Sequence, residues 1–157
     1  MSAAPASRLL LASEGRPFAD AAIAAVARRA SAATRIEVLV IARIWGSAFG
    51  FPNPWLLPSR REWEARRATV ARAIEALAAL GLAARGAVVG HRDAARRILS
   101  HAEAMGADLL VMGADPHPPG PFGALFWSAE PYRVRRRARL PVLLVTPPGA
   151  DLTRAAG

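Results

Sequence analysis

Gly106-Ala107-Asp108-Leu109-Leu110-Val111-Met112-Gly113 is the stretch that decides the fold. Four successive apolar residues, entered through an acid and closed by a glycine, read as a strand buried on both faces. A half-exposed strand would alternate instead. The segment before it reads as a helix. Asp93 favours its start through the dipole, Ile98, Leu99, Ala102 and Met105 form its apolar face, and Gly106 ends it.

Working outward, the same pairing of strand and helix recurs. Leu9-Leu10-Leu11-Ala12 is an apolar run that stops in the polar turn Ser13-Glu14-Gly15. Pro17 suits the first turn of a following helix, which carries Phe18, Ala22, Ile23 and Val26 on one stripe and ends near residues 28–30. Ile36 to Ile41 is a second strand, rich in β-branched residues. Ser59 and Glu62 stand at capping-box spacing, and the helix behind them aligns Trp63, Val70, Ile74 and Leu77 before Gly81 stops it. Ala87-Val88-Val89 is a third strand, closed by Gly90. Beyond residue 113 come a Pro/Gly-rich loop from Asp115 to Gly123, a helix over roughly 128–138, and a fifth strand, Pro141-Val142-Leu143-Leu144-Val145.

Alternating strands and helices with continuously apolar strands predict an α/β fold. It is a doubly wound, open, parallel five-stranded sheet with helices on both faces, Rossmann-like in architecture. The domain spans 8–146, with loose tails at 1–7 and 147–157. Ligands of such sheets sit beyond the carboxyl ends of the strands. That edge carries Ser13, Glu14, Ala42, Gly90 and Gly113.

Composition narrows the classes. At 157 residues and 53% hydrophobic, the chain suits one domain with a real core. No apolar run reaches the roughly 18 residues that a membrane span needs, and residues 1–7 do not read as a secretory signal. With no cysteine, disulfides, thiolate metal sites and a Cys nucleophile are excluded, and the cytoplasm is the default compartment. All 21 basic residues are arginine, for a net charge of +9. Codon preference accounts for that composition. A basic balance favours acidic partners, but no helix-turn-helix, zinc-finger or RNP-type pattern accompanies the charge, so charge alone settles nothing and a nucleic-acid partner is not expected. His91, His101 and His117 fall in no metal spacing. Asp115-Pro116-His117 has no activated hydroxyl beside it, so no catalytic residue is assigned.

Gly90-His91-Arg92-Asp93 followed by a helix and Gly106 to Gly113 resembles the universal stress protein family, whose members carry a Gly-Asp-Pro-like turn, a helix and Gly-Ala-Asp-Leu-Ile-Val-Met-Gly. The opening strand ending Ser13-Glu14-Gly15 and the closing Pro141 to Val145 are similar to the family's first and last strands. The likeness covers residues 8–146. It implies the family's adenine-nucleotide α-hydrolase-like fold, a stress-response binding or regulatory role rather than an enzyme, and a homodimer through Val142, Leu143, Leu144 and Val145. An unknown protein partner is expected, and no membrane.

The resemblance also implies a pocket for an adenine nucleotide, ATP or AMP, with Mg only as a companion of ATP. The base would meet main-chain groups near Val40, Ile41 and Ala42, and the polar end would meet Ser13 and Glu14. Nucleotide-binding members carry Gly-x2-Gly-x9-Gly-Ser/Thr after the fourth strand, since glycines let main-chain N–H groups approach phosphate. Here Gly113 is kept, Pro116 takes the second position, Gly120 and Gly123 are the loop's remaining glycines, and Ser128-Ala129 falls where the final pair belongs. Prolines at 116, 118, 119 and 121 remove four N–H donors. The loop is therefore degraded, and nucleotide is expected to bind weakly or not at all. An ATP- or AMP-binding nucleotide switch or slow ATPase is the alternative. A wider-group enzyme is the weakest reading, because the pyrophosphatase and synthetase loops are both missing.

Three further features have two readings each. Glu14 is a pocket carboxylate or a helix-start acid. Trp45, Phe49, Phe51 and Trp55, in the loop 45–59, form a lid over the pocket or pack on their own domain. The arginines at 133, 135, 136, 137 and 139 make a solvated face or a surface for phosphate or an acidic partner.

Overall fold

The computed structural model describes residues 4–44, 57–115 and 128–146, together with the backbone of 150–151. The aromatic segment 45–56 and the loop 116–127, with Gly120, Gly123 and His117, lie outside the described residues, and the lid reading lies there with them. The strands are β1 (Arg8–Ser13), β2 (Arg35–Arg43), β3 (Ala84–His91), β4 (Leu109–Gly113), β5 (Val142–Thr146) and β6 (Ala150–Asp151). The helices are α1 (Asp20–Arg29), α2 (Arg60–Ala79), α3 (Ala94–Met105) and α4 (Glu130–Arg137).

The sheet order is β3-β2-β1-β4-β5-β6, and the first five strands are parallel. This is the doubly wound α/β sheet that the apolar runs predict. The winding reverses between β1 and β4, so a crevice opens above the adjoining ends of those two strands.

Strand periodicity divides the core into two layers. Leu9, Leu11, Val38, Val40 and Val111 face α1 and α2. Leu10, Ala12, Leu39, Ile41 and Met112 face α3 and α4. β1 is fully buried from Leu9 to Ala12, so both faces must be apolar. Asp108 ties down the entrance of β1, where its Oδ2 accepts from Ser7 N at 2.8 Å. It is the acid of the deciding stretch, acting 101 residues from its partner.

Local signals place the helices. The Ser59 hydroxyl accepts from Glu62 N while the Glu62 carboxylate accepts from Ser59 N, at 3.2 and 2.6 Å, completing the capping box. Asp93 is the N-cap of α3 and accepts from Arg96 N at 3.0 Å. That bond holds its carboxyl below the usual range, against the upward push of burial.

Three outcomes differ from the sequence expectations. Pro17 is not in the first turn of α1, which begins at Asp20 after the extended Ala19. The chain is held back by the Ser13 hydroxyl, which donates to Arg16 O at 2.6 Å and keeps residues 13–16 in a turn. β3 runs from Ala84, three residues earlier than its apolar centre, because a partly exposed edge strand tolerates Arg85 and Gly86. Finally, Val145 and Thr146 pair antiparallel with Asp151 and Ala150, so the sheet gains a short sixth strand from the stretch expected as tail. β6 reaches only the carboxyl end of β5.

At Gly86 the long helix α2 approaches the sheet. A Cβ there would lie 2.1 Å from Val70 Cγ1 and 3.0 Å from Ile74 Cδ1. Gly86→Ala is expected to destabilise the fold by about 1–3 kcal/mol through overpacking. In a double-mutant cycle with Val70→Ala, the combined loss in denaturant unfolding should be smaller than the sum of the single losses. Additive losses would show that α2 does not rest on this glycine.

Glu37 lies on the α3 side of β2 and accepts from Arg35 and Arg85, each at 2.8 Å, with His101 Nε2 at 2.9 Å from its second oxygen. Burial pushes its pKa up, but the hydrogen bonds from His101, Arg35 and Arg85 outweigh it and bring the carboxyl from 4.5 down to about 2. A lowered pKa means stability that is present above 4.5 and lost as pH falls from there toward 2. The stability gap between the native chain and Glu37→Gln should therefore narrow across that interval, as followed by urea unfolding at stepped pH. A gap independent of pH would discount the cluster.

Candidate functional site

The carboxyl edge is built where β1 and β4 end side by side. Ser13 closes β1, and its hydroxyl accepts from Gly15 N at 3.1 Å while donating to Arg16 O. Gly15 has φ of +124°, a conformation that side chains rarely adopt, and the Ile41 carbonyl lies 3.1 Å from where a Cβ would stand. The turn therefore needs this glycine. It sets the nearly buried Glu14 carboxylate and the partly exposed Arg16 beside the strand ends while its backbone lies against the end of β2.

Arg16 then crosses the crevice. Its Nε donates to Glu14 Oε1 at 2.8 Å and its Nη1 to Asp115 Oδ2 at 2.5 Å. The guanidinium thus joins the end of β1 to the residues just after β4. Asp115 is fixed from the other side as well, since Tyr132 of α4 donates its hydroxyl to the Asp115 carbonyl at 2.5 Å. Burial pushes the Tyr132 phenol above its ordinary pKa. Ala114 N donates to Val145 O at 2.8 Å and extends the β4–β5 ladder past Gly113.

A second ionic bridge lies on the α4 side. Arg43, at the end of β2, donates through Nη2 to Glu130 Oε1 at 2.8 Å, and Arg133 donates to the same oxygen at 2.9 Å. Glu130 occupies the first turn of α4 and is 6% exposed; its Oε2 is buried without a hydrogen bond among the described residues. The favourable N-terminal end of α4 therefore already faces an anion of the chain's own.

Two clefts flank the crevice. One, of about 220 Å³, lies between Ser13, Glu14, Phe18, Gly113, Asp115 and Val145. The other, of about 180 Å³, is lined by Glu14, Gly15, Ala42, Arg43, Glu62 and Arg66, among others. Arg66 of α2 reaches across the second cleft and donates to the Gly15 carbonyl.

The structure thus brings Ser13, Glu14 and Gly113 together. Glu14 is a carboxylate of the cleft wall and not a helix-start acid, because α1 begins six residues later with Asp20 as its first-turn acid. The Ile41 side chain is buried in the α3-side core, so only its main chain faces this edge. Ser128 and Ala129 lead into α4, and Glu130 N lies 3.4 Å from the Ser128 hydroxyl. Ala129 is the N-cap and supplies no side-chain bond. Val142 to Val145 form β5 rather than a free edge along their whole length, since β6 pairs beside Val145. Arg43, Arg66 and Glu130 were not legible as site residues. Their partners lie 51 and 87 positions away, and no local spacing marks such pairs.

No helix among the described residues is long and apolar enough to cross a membrane. Comparison with known structures returns universal stress proteins. One from Archaeoglobus fulgidus, solved in complex with dAMP, is 14% identical with a TM-score of 0.61, covering 92% of this chain and 98% of that one. A universal stress protein in complex with cAMP is 18% identical with a TM-score of 0.62, covering 91% and 98%. A family protein from Burkholderia pseudomallei is 25% identical with a TM-score of 0.57, covering 88% and 95%. The search of curated proteins gives no match. The model of the universal stress protein family matches residues 6–146, which is nearly the whole described domain. With sheet order, crevice and sequence match in agreement, the chain belongs to the universal stress protein family.

Proposed function

We propose that this chain is a non-enzymatic, stress-associated binding domain of the cytoplasm whose crevice takes an adenine nucleotide weakly, by base and ribose more than by phosphate. The observation that carries this reading is the pair of ionic bridges Arg16–Asp115 and Arg43–Glu130. They place the chain's own carboxylates at the strand ends and at the start of α4, where a triphosphate would need unopposed donors. Relatives that hold dAMP and cAMP support an adenine ligand with a single phosphate group. The prolines at 116, 118, 119 and 121 support a weakened grip on a longer phosphate chain. Mg enters only as the companion of ATP, and no residue is assigned to hold it.

Calorimetric titration tests this directly. AMP, ADP and ATP should bind with similarly low affinity, and Mg should change little. Each absent hydrogen bond to a charged phosphate forfeits on the order of 1.5–3 kcal/mol, so two or three losses remove micromolar binding. Pro116→Gly combined with Ala129→Ser should strengthen ATP selectively. Tight Mg-ATP binding by the native chain, or hydrolysis that follows it, would replace this reading with a nucleotide switch or slow ATPase.

The chain further pairs as a homodimer along β5. β6 reaches only Val145 and Thr146, which leaves Val142 to Leu144 without a strand on that side among the described residues. Light scattering at micromolar concentration should give twice the chain mass. A monomer mass would remove the dimer without touching the nucleotide reading.

A further inference from the structure

The chain's positive charge is not spread evenly over the fold. α3 and α4 pack side by side on one face of the sheet, while α1 and α2 cover the other. Residues 92–105 hold three arginines against Asp93 and Glu103, and residues 128–139 hold five against Glu130. Together these two short segments carry +5 of the chain's +9. The acids do little to offset this outside. Glu130 is buried, Asp93 caps α3 and faces Arg137, and Glu103, near the far end of α3, is exposed.

Arg92, Arg96, Arg136 and Arg139 are all exposed, and among the described residues none of the four makes an ion pair. Arg137 lies 3.7 Å from Asp93 and joins the two helices into one surface. α2 carries less net charge than these two segments together: over 60–79 five arginines stand against Glu62, Glu64 and Glu75, for +2, with Arg60 paired to Glu64 at 3.1 Å and Arg61, Arg67 and Arg72 exposed.

The chemistry of the face selects among polyanions. A lipid surface would call for exposed apolar side chains to enter the headgroup region. A protein partner would call for an apolar or aromatic anchor at the centre of the patch. Among the described residues the exposed large apolar side chains are Leu57 and Leu80, which flank α2 and lie off this face. Tyr132 is half-buried, with the Arg135 guanidinium 5.6 Å from its ring centre. What remains is a set of exposed planar forks, suited to phosphate oxygens and indifferent to base identity.

We propose that the outer face of α3 and α4 binds the phosphate backbone of nucleic acid without sequence preference. Composition alone does not settle such a partner; the placement of the charges supplies the argument for it. None of the four arginines lines either cleft of the crevice, although Arg92 follows directly on the carboxyl end of β3.

Fluorescence anisotropy with short duplex DNA and duplex RNA of mixed sequence, over roughly 50 to 200 mM salt, is the test, because counterion release makes the salt slope count phosphate contacts. The quadruple variant Arg92→Gln, Arg96→Gln, Arg136→Gln and Arg139→Gln should flatten the log–log slope by about three to four units on duplex DNA, at about 0.9 per phosphate lost. Arg136→Gln with Arg139→Gln alone should remove about half of that, and guards against a folding defect in the larger variant. Arg60→Gln, Arg61→Gln, Arg67→Gln and Arg72→Gln on α2 removes the same charge from the opposite face and should leave the slope nearly unchanged. Equal flattening by both quadruple variants would overturn the proposal, since the effect would then be net charge alone. So would absence of binding at the lowest salt, or preferential binding to anionic phosphatidylserine vesicles.

Discussion

β1 is buried on both faces, and the rest of the molecule is arranged around that constraint. Leu9 to Ala12 have no exposure at all, with α1 and α2 on one side and α3 and α4 on the other. Polar groups cannot interrupt such a strand without leaving a buried donor or acceptor unpaired. They are displaced to its two ends. At the entrance, Asp108 accepts from the backbone of Ser7 and Arg8, which aligns β4 with β1. At the exit, Ser13 turns the chain, and Glu14 and Arg16 follow. The crevice of this fold is therefore polar because the strand beneath it cannot be.

This constraint also explains how much was legible. The five parallel strands and four helices follow from apolar runs, capping residues and helix-stopping glycines, all of them local signals. The Ser59–Glu62 box and the Asp93 cap could be read from spacing of three residues, and the structure forms both. Glu14 stayed ambiguous because its role depends on where α1 begins. That is decided by the Ser13–Arg16 hydrogen bond rather than by Pro17. The sixth strand had no apolar or β-branched signal, since it consists of Ala150 and Asp151 pairing by backbone alone.

The ionic bridges of the crevice belong to the illegible part for a different reason. Arg16 stands two residues from Glu14, and that pair could be guessed. Its second partner is 99 residues away and is brought close only by the β1–β4 register. Arg43 and Glu130 meet because β2 ends beside α4 across the crossover, a relation of topology and not of sequence distance. In a chain with 21 arginines, identity says almost nothing about which guanidinium is structural. Burial and partners make that distinction.

Arginine accordingly does two opposed jobs. Arg16 and Arg43 spend their forks on carboxylates of the chain, at a position where the start of a helix and the ends of strands would favour an external anion. Glu130 is nearly buried and shares its Oε1 between Arg43 and Arg133, so losing the Arg43 bridge would leave a buried carboxylate on one partner, and that bridge is structurally constrained. A fold whose polar edge is neutralised internally has less charge there to offer a ligand. What attracts anions at longer range is then the net charge elsewhere, and the segments of α3 and α4 carry the largest share of it. The two surfaces differ less in residue type than in whether a carboxylate arrived first.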